Sequence, residues 1–265
     1  MHVALRLLAI VAGIATALGT ASAAAAQSVN TMVIWPIDPV IAYKERAAAL
    51  WLENPGKKPL LMQVRIFGWN QDGGEDHFTE QKEVTGTPPL IRIEPGQRQL
   101  VRLTRLVMPE PGRERAYRVI VDEIPLPDAP SDGVTPSGSA KPKQAGAAIQ
   151  FRMRYSVPLY VYGEGLGHKP DKSQAIARSQ MEWRVIQANG KPVLEIRNLA
   201  PVHGKINSVS VRHADGSTSK LNPVVGHILA GSVMRWTIDK PLSDTAVIEA
   251  SVNGAAPAVL AHWSH

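Results

Sequence analysis

The hydrophobic pattern peaks in one stretch, Ala147 to Tyr162, which reads AAIQFRMRYSVPLYVY. Its odd positions, Ala147, Ile149, Phe151, Met153, Tyr155, Val157, Leu159 and Val161, are all apolar, while the even positions up to Ser156 are mostly polar. Strict alternation predicts a β-strand with one buried face. At about 3.3 Å per residue it would extend roughly 50 Å, against roughly 17–20 Å for an ordinary strand. Two readings follow. Either Pro158 divides a core strand from a short successor, or part of the apolar row is offered to another protein.

The rest of the chain carries shorter strand signals separated by Pro and Gly. Thr31–Trp35, Arg46–Glu53, Leu60–Trp69, Leu90–Ile93, Gln99–Thr104 and Ala116–Ile124 precede the long stretch. Met181–Ile186, Pro192–Arg197, Lys205–Arg212, Val224–Leu229, Ser232–Ile238, Ala246–Val252 and Ala258–Trp263 follow it. Turns are marked at Asn54-Pro55-Gly56, Asn70–Gly74, Glu94-Pro95-Gly96 and Asn189-Gly190. No helical run of ten residues interrupts the series. The expectation is an all-β chain of two immunoglobulin-like sandwiches, 27–162 and 171–265, joined by a Gly/Pro linker at 163–170. Pro125–Gly146 is Pro, Gly, Ser and charge-rich and predicts a mobile loop ahead of the long strand.

Residues 1–26 combine one Arg, an apolar run and small-residue cleavage motifs, the pattern of a secretory signal peptide. No other run is long enough to span a bilayer as a helix, so no stable membrane insertion is expected. The remaining part is mildly basic, with 28 Lys+Arg against 23 Asp+Glu once Arg6 is removed from 29. Those charges are scattered, which argues against a nucleic-acid surface and leaves an acidic or carboxylate-bearing partner open. The chain has no cysteine, which excludes disulfides, Cys-ligated metals and a Cys nucleophile. No nucleophile elbow occurs, the histidines are dispersed, and Glu75-Asp76-His77 reads as a solvated tip beside a Gly-Gly turn. Neither enzyme chemistry, a cofactor nor a metal is expected. The tryptophans at 35, 51, 69, 183, 236 and 263 fall mostly within strand patterns; exposed in a shallow site, they would instead suit a secreted carbohydrate-binding or adhesive sandwich.

One family resemblance covers about residues 30–162 specifically and 171–265 weakly. Thr87–Gly96, Leu100-Val101-Arg102-Leu103, Tyr117–Pro125 and the alternating strand after a loose loop resemble, in order and spacing, the periplasmic chaperones of the chaperone–usher pilus pathway. Ile34–Pro39, Leu50–Asn54 and Tyr155–Leu159 are similar to its archaic branch.

The resemblance implies an L-shaped pair of sandwiches whose long edge strand completes a pilin subunit by donor-strand complementation, with an outer-membrane usher as second partner. The implied donor residues are Ile149, Phe151 and Met153, flanked by Ala147 and Tyr155. Burying three such side chains contributes about 5–8 kcal/mol before the costs of association. Whether the free chain self-associates to cover that edge stays open.

The resemblance further implies an interdomain ion network at Arg102, Glu123 and Asp239. Its usual anchors for the subunit's terminal carboxylate fall on Asp38 and Pro158, which cannot serve. Arg118, Arg152 and Arg154 are the alternative bases, since guanidinium grips carboxylate in a fork.

Overall fold

A computed structural model describes residues 32–125, 152–166, 180–213, 216–243 and 245–263. The expected signal segment, most of the expected loop and linker, and the donor positions Ala147, Ile149 and Phe151 lie outside these.

The described residues form strands and no helix. Ten strands make the first sandwich: β1 Val33–Trp35, β2 Val40–Ile41, β3 Ala47–Glu53, β4 Leu60–Asp72, β5 Glu75–Thr79, β6 Val84–Thr87, β7 Leu90–Ile93, β8 Arg98–Arg105, β9 Glu114–Ile124 and β10 Arg154–Tyr162. One sheet runs β1-β3-β8-β6; the other runs β2-β10-β9-β4-β5, with β7 also on β4. Alternate residues of both sheets meet in the core: Leu50 and Leu52 on β3, Met62 and Val64 on β4, Val101 and Leu103 on β8, Tyr117, Val119 and Val121 on β9, and Val157, Leu159 and Val161 on β10. The period-two signal therefore marks the buried face correctly on β10.

The second sandwich holds β11 Met181–Ala188, β12 Lys191–Asn198, β13 Gly204–Arg212, β14 Thr218–Lys220, β15 Gly226–Ile228, β16 Val233–Thr237, β17 Val247–Val252, β18 Ala258–Val259 and β19 Ala261–His262. Its sheets run β16-β12-β11-β19 and β14-β13-β17-β18, with β15 on β13. The core centres on Trp183, Leu194, Ile196, Ile206, Ile248 and Val252.

Four short strands have no counterpart in the sequence expectation. β5 lacks any alternation, because all five of its residues are exposed. β2, β6 and β14 are two to four residues long. The expected solvated tip Glu75-Asp76-His77 is thus paired strand, and Asp76 accepts hydrogen bonds from Trp69 Nε1 and Gln71 Nε2, each at 2.8 Å.

The two sandwiches share one fastening that no sequence repeat announces. Asn54 follows β3 and Asn198 ends β12, and both are fully buried. Each side-chain oxygen accepts from the backbone N–H two residues on, Gly56 at 2.9 Å and Ala200 at 3.0 Å. Each amide donates to the carbonyl four residues on, Lys58 or Val202, both at 2.8 Å, and to a carbonyl across the sandwich, Ile93 or Ile228, both at 3.0 Å. An Asx turn and a cross-tie are thereby combined in one residue. Asn54→Ala and Asn198→Ala should each lower stability by about 1–3 kcal/mol for every carbonyl left without its donor. The check is urea unfolding of the two single variants.

Candidate functional site

Strand β10 is paired unequally on its two sides. β9 covers it from Arg154 to Tyr162, opposite Asp122 to Glu114. On the other side β2 reaches only Tyr160 and Val161. Among the described residues, nothing else pairs with the edge from Arg154 to Leu159.

The hydrogen bonds at either end give the orientation of that edge. Glu123 N donates to Met153 O at 3.0 Å, so the odd positions address β9. Tyr160 N donates to Pro39 O at 3.1 Å, so the even positions address the open side. Alternation then directs the main chain of Arg154, Ser156 and Pro158 outward. Pro158 takes a slot where its missing N–H costs the β9 ladder nothing.

The other face of this sheet carries the joint between the sandwiches. Trp69, Tyr160 and Tyr162 pack with Ala200, Val202 and Leu229 of the second sandwich in a small separate core. Tyr160 stacks flat on His203, ring centroids 3.4 Å apart. His203 is held by Glu114, whose carboxylate accepts from His203 N at 3.0 Å and lies 2.8 Å from Nδ1. Gln71 on β4 accepts from Leu229 N and donates to His227 O, both at 2.8 Å. The tip of the β4–β5 hairpin touches the edge strand β16, where Gly74 bridges Met234. There Arg235 donates to Gly73 O at 2.7 Å and to Glu195 at 2.7 Å. Gly74 has φ +87°, and a Cβ on it would meet Arg235 carbons at 2.5 Å. Gly163 is equally constrained: a Cβ there would lie 2.1 Å from Glu110 O, so the chain leaving β10 is strapped to the first sandwich.

Arg118 lies at this joint. Its guanidinium sits 3.7 Å over the Trp69 ring, and burial lowers its pKa from the ordinary arginine range. Among the described residues two buried polar side-chain atoms have no hydrogen-bond partner, Arg118 Nε and Tyr160 Oη. Both belong to this joint. Burial, then Glu114, raises the Tyr160 pKa well above the phenol value, so the hydroxyl keeps its proton. A charged donor and a neutral hydroxyl, both buried and both without a partner, thus lie at the joint, and such donors suit an anion.

The other expected bases are placed differently. Arg154 and Arg65 both grip Asp122, at the far end of the ladder from the joint. Their hydrogen bonds outweigh the upward push of burial and leave the Asp122 pKa below its usual value. Arg152 is exposed still further along. Of the donor positions that are described, Met153 is half-buried, and Tyr155 packs on the core while its hydroxyl accepts from Met32 N at 2.9 Å. Met153 N also donates to the Glu123 carboxylate at 3.3 Å.

The ion network expected at Arg102, Glu123 and Asp239 is not formed: no ion pair among the described residues joins them. Arg102 is exposed on β8, paired with Ala49 of β3 in the sheet that does not hold Glu123, and Asp239 is exposed beyond β16. The polar joint is built instead by Glu114–His203, Gln71 and Arg235. Partners so far apart in sequence, 89 residues for Glu114 and His203, leave no local signal. The tryptophans divide as well. Trp69 and Trp183 are buried, whereas Trp35 and Trp51 stack at 5.4 Å on the outer face of the first sheet, with Arg98 over Trp51.

Two outcomes follow from the joint. Gly74→Ala should destabilise the chain by about 1–3 kcal/mol through its positive φ and the contact with Arg235. Combining it with Arg235→Ala should cost less than the sum of the single changes, which a double-mutant cycle in urea measures. The second concerns acid. Burial first, then Arg118, His203 and Lys205, lowers the His227 pKa from 6.5 to about 3, against a small opposing effect of Asp76. Between those values the unfolded chain takes up a proton that the folded chain refuses, so stability falls as pH drops from 6.5 toward 3. His227→Gln should flatten that part of a plot of urea midpoint against pH.

Comparison with known proteins agrees with this architecture. The family model described as pili and flagellar-assembly chaperone, PapD N-terminal domain, matches residues 34–166. The chaperone protein FimB/FhaD of Bordetella pertussis is 26% identical over 205 residues, covering 71% of this chain and 75% of that one. Among solved structures, the pre-assembly complex of CsuC with the tip subunit CsuE, from archaic chaperone–usher Csu pili of Acinetobacter baumannii, matches with TM-score 0.70 and 28% identity, over 88% of this chain and 100% of that one. The CupB2 chaperone of Pseudomonas aeruginosa matches in fold, with TM-score 0.55 and 20% identity over 86% and 97% of the two chains. These relatives share two immunoglobulin-like sandwiches with this chain, which belongs to the family of pilus-assembly chaperones.

Proposed function

We propose that this chain is a periplasmic chaperone that holds pilin subunits by lending them strand β10 and hands them to an outer-membrane usher. Residues 1–26 serve for export, 27–162 form the subunit-binding unit, 163–170 the link and 171–265 the second sandwich. The observation that carries the reading is the open edge of β10 from Arg154 to Leu159, backed by β9 and continuous with the joint. A subunit strand laid along it would gain main-chain hydrogen bonds at Arg154 and Ser156 and at the Pro158 carbonyl. Ile149, Phe151 and Met153, with Ala147 and Tyr155 at the ends, supply the apolar row that enters the subunit. No oxidation, hydrolysis or group transfer is part of this role; the work is burial and pairing.

The subunit's terminal carboxylate is taken by Arg118 and Tyr160, not by Arg152 or Arg154. Arg118 Nε and Tyr160 Oη are the unpartnered donors at the joint, whereas Arg154 is already paired with Asp122. Asp38, where the family usually has a base, is close enough to Tyr160 to raise its pKa slightly further and opposes the anion. That opposition makes the guanidinium the more necessary.

The test is co-expression of the tagged chain with pilin subunits of its own system and recovery of soluble complex. Phe151→Asp combined with Met153→Asp should abolish recovery while the chain itself stays folded; undiminished recovery would reject strand donation. Arg118→Met should weaken the complex by about 10- to 100-fold, the worth of charge-assisted hydrogen bonds of about 1.5–3 kcal/mol. An equal loss in Arg154→Met would move the anchor to the far end of the strand.

A further inference from the structure

We infer that Phe67 and Phe78 form an apolar wall beside Arg118 that selects subunits by the side chain of their last residue, favouring a large apolar or aromatic one. The inference rests on the reading that Arg118 takes the terminal carboxylate.

Phe67 lies directly across the β4–β9 ladder from Arg118. Phe78 lies directly across the β4–β5 ladder from Trp69, the ring on which the Arg118 guanidinium rests. Paired residues share a face, and so do Phe67 and Trp69 two positions apart. One face therefore presents Phe78, Trp69, Phe67 and Arg118 as neighbours. Phe78 is 52% exposed, on a strand whose other residues are polar and also exposed. Phe67 is half-buried, with the Arg65 guanidinium 5.6 Å from its ring centroid.

The charges around the wall are already engaged. Asp76 is held by Trp69 and Gln71, and Arg65 by Asp122. What remains for a newcomer beside Arg118 is hydrocarbon. The carboxylate and the side chain of a terminal residue share one α-carbon. With the carboxylate on Arg118, that side chain faces Phe67, the residue paired with Arg118 across the ladder, and Phe78 lies one strand beyond. An apolar side chain gains burial there, and a carboxylate side chain loses hydration.

The experiment uses synthetic peptides of alternating valine and threonine, identical except for a last residue of Ala, Asp, Leu or Phe. Each is made as free acid and as amide, and binding to the full chain is read by fluorescence anisotropy. Among the free acids, Leu- and Phe-ended peptides should bind about tenfold more tightly than the Ala-ended one, the factor given by about 1.4 kcal/mol of added burial, and the Asp-ended peptide most weakly. Phe67→Ala with Phe78→Ala should bring the Phe-ended peptide to the level of the Ala-ended one. Phe78→Tyr should keep most of the preference, and thermal melts establish that the variants fold. Equal affinity for Ala, Leu and Phe ends, or an order that survives the double variant, overturns the wall. Amides that bind as well as acids, or binding indifferent to Arg118→Met, overturn the carboxylate anchor instead. Failure of every peptide to bind overturns strand docking and the wall with it.

Discussion

The structure turns on the unequal pairing of one strand. β10 has a full partner on one side and, on the other, a partner only at its last residues. A half-paired strand in the middle of a sheet would be a defect, because exposed main-chain groups invite association. Here the strand is tied into both structural units. Val157, Leu159 and Val161 belong to the first core, while Tyr160 and Tyr162 belong to the joint. The open edge is therefore held rigid from behind, and its main-chain groups keep a fixed orientation.

The joint explains why a second sandwich is present at all. Its apolar contact is small, and its specificity comes from polar ties that cross between the units: Glu114 to His203, Gln71 to the chain at His227 and Leu229, Arg235 to Gly73. Buried polar groups that find partners define one geometry, since any other leaves them unsatisfied. The cost is borne by Arg118 and Tyr160, each of which keeps a buried donor without a partner. Local rules of polar satisfaction are thus broken at one place, as is common where a fold serves a function.

Much of the fold was legible in the chain because period-two alternation reports a buried face directly. Val157, Leu159 and Val161 read as core and are core. β5 was not legible, since a strand with both faces in water has no period to display. The paired roles of Asn54 and Asn198 were hidden for another reason: an Asn in a turn looks the same whether its amide meets solvent or two carbonyls. Arg118, Arg152 and Arg154 read alike in the sequence, and only the fold sets Arg118 over Trp69 with an unpartnered Nε while pairing Arg154 with Asp122. The network expected from family resemblance at Arg102, Glu123 and Asp239 failed because its members lie on separate sheets and surfaces, which spacing along the chain does not reveal. Glu114 could not be chosen over its acidic neighbours without knowing what stands 89 residues away.

The alternation at the end of β10 has a mechanical consequence. A slip of a single residue would send Tyr160 into the first core and Val161 into the joint, exchanging a phenol for a methyl cluster on both faces at once. That end of the strand is consequently clamped like the root of a cantilever. Load applied along its free margin can flex the beam without letting it slide, and the packing at the root keeps its shape.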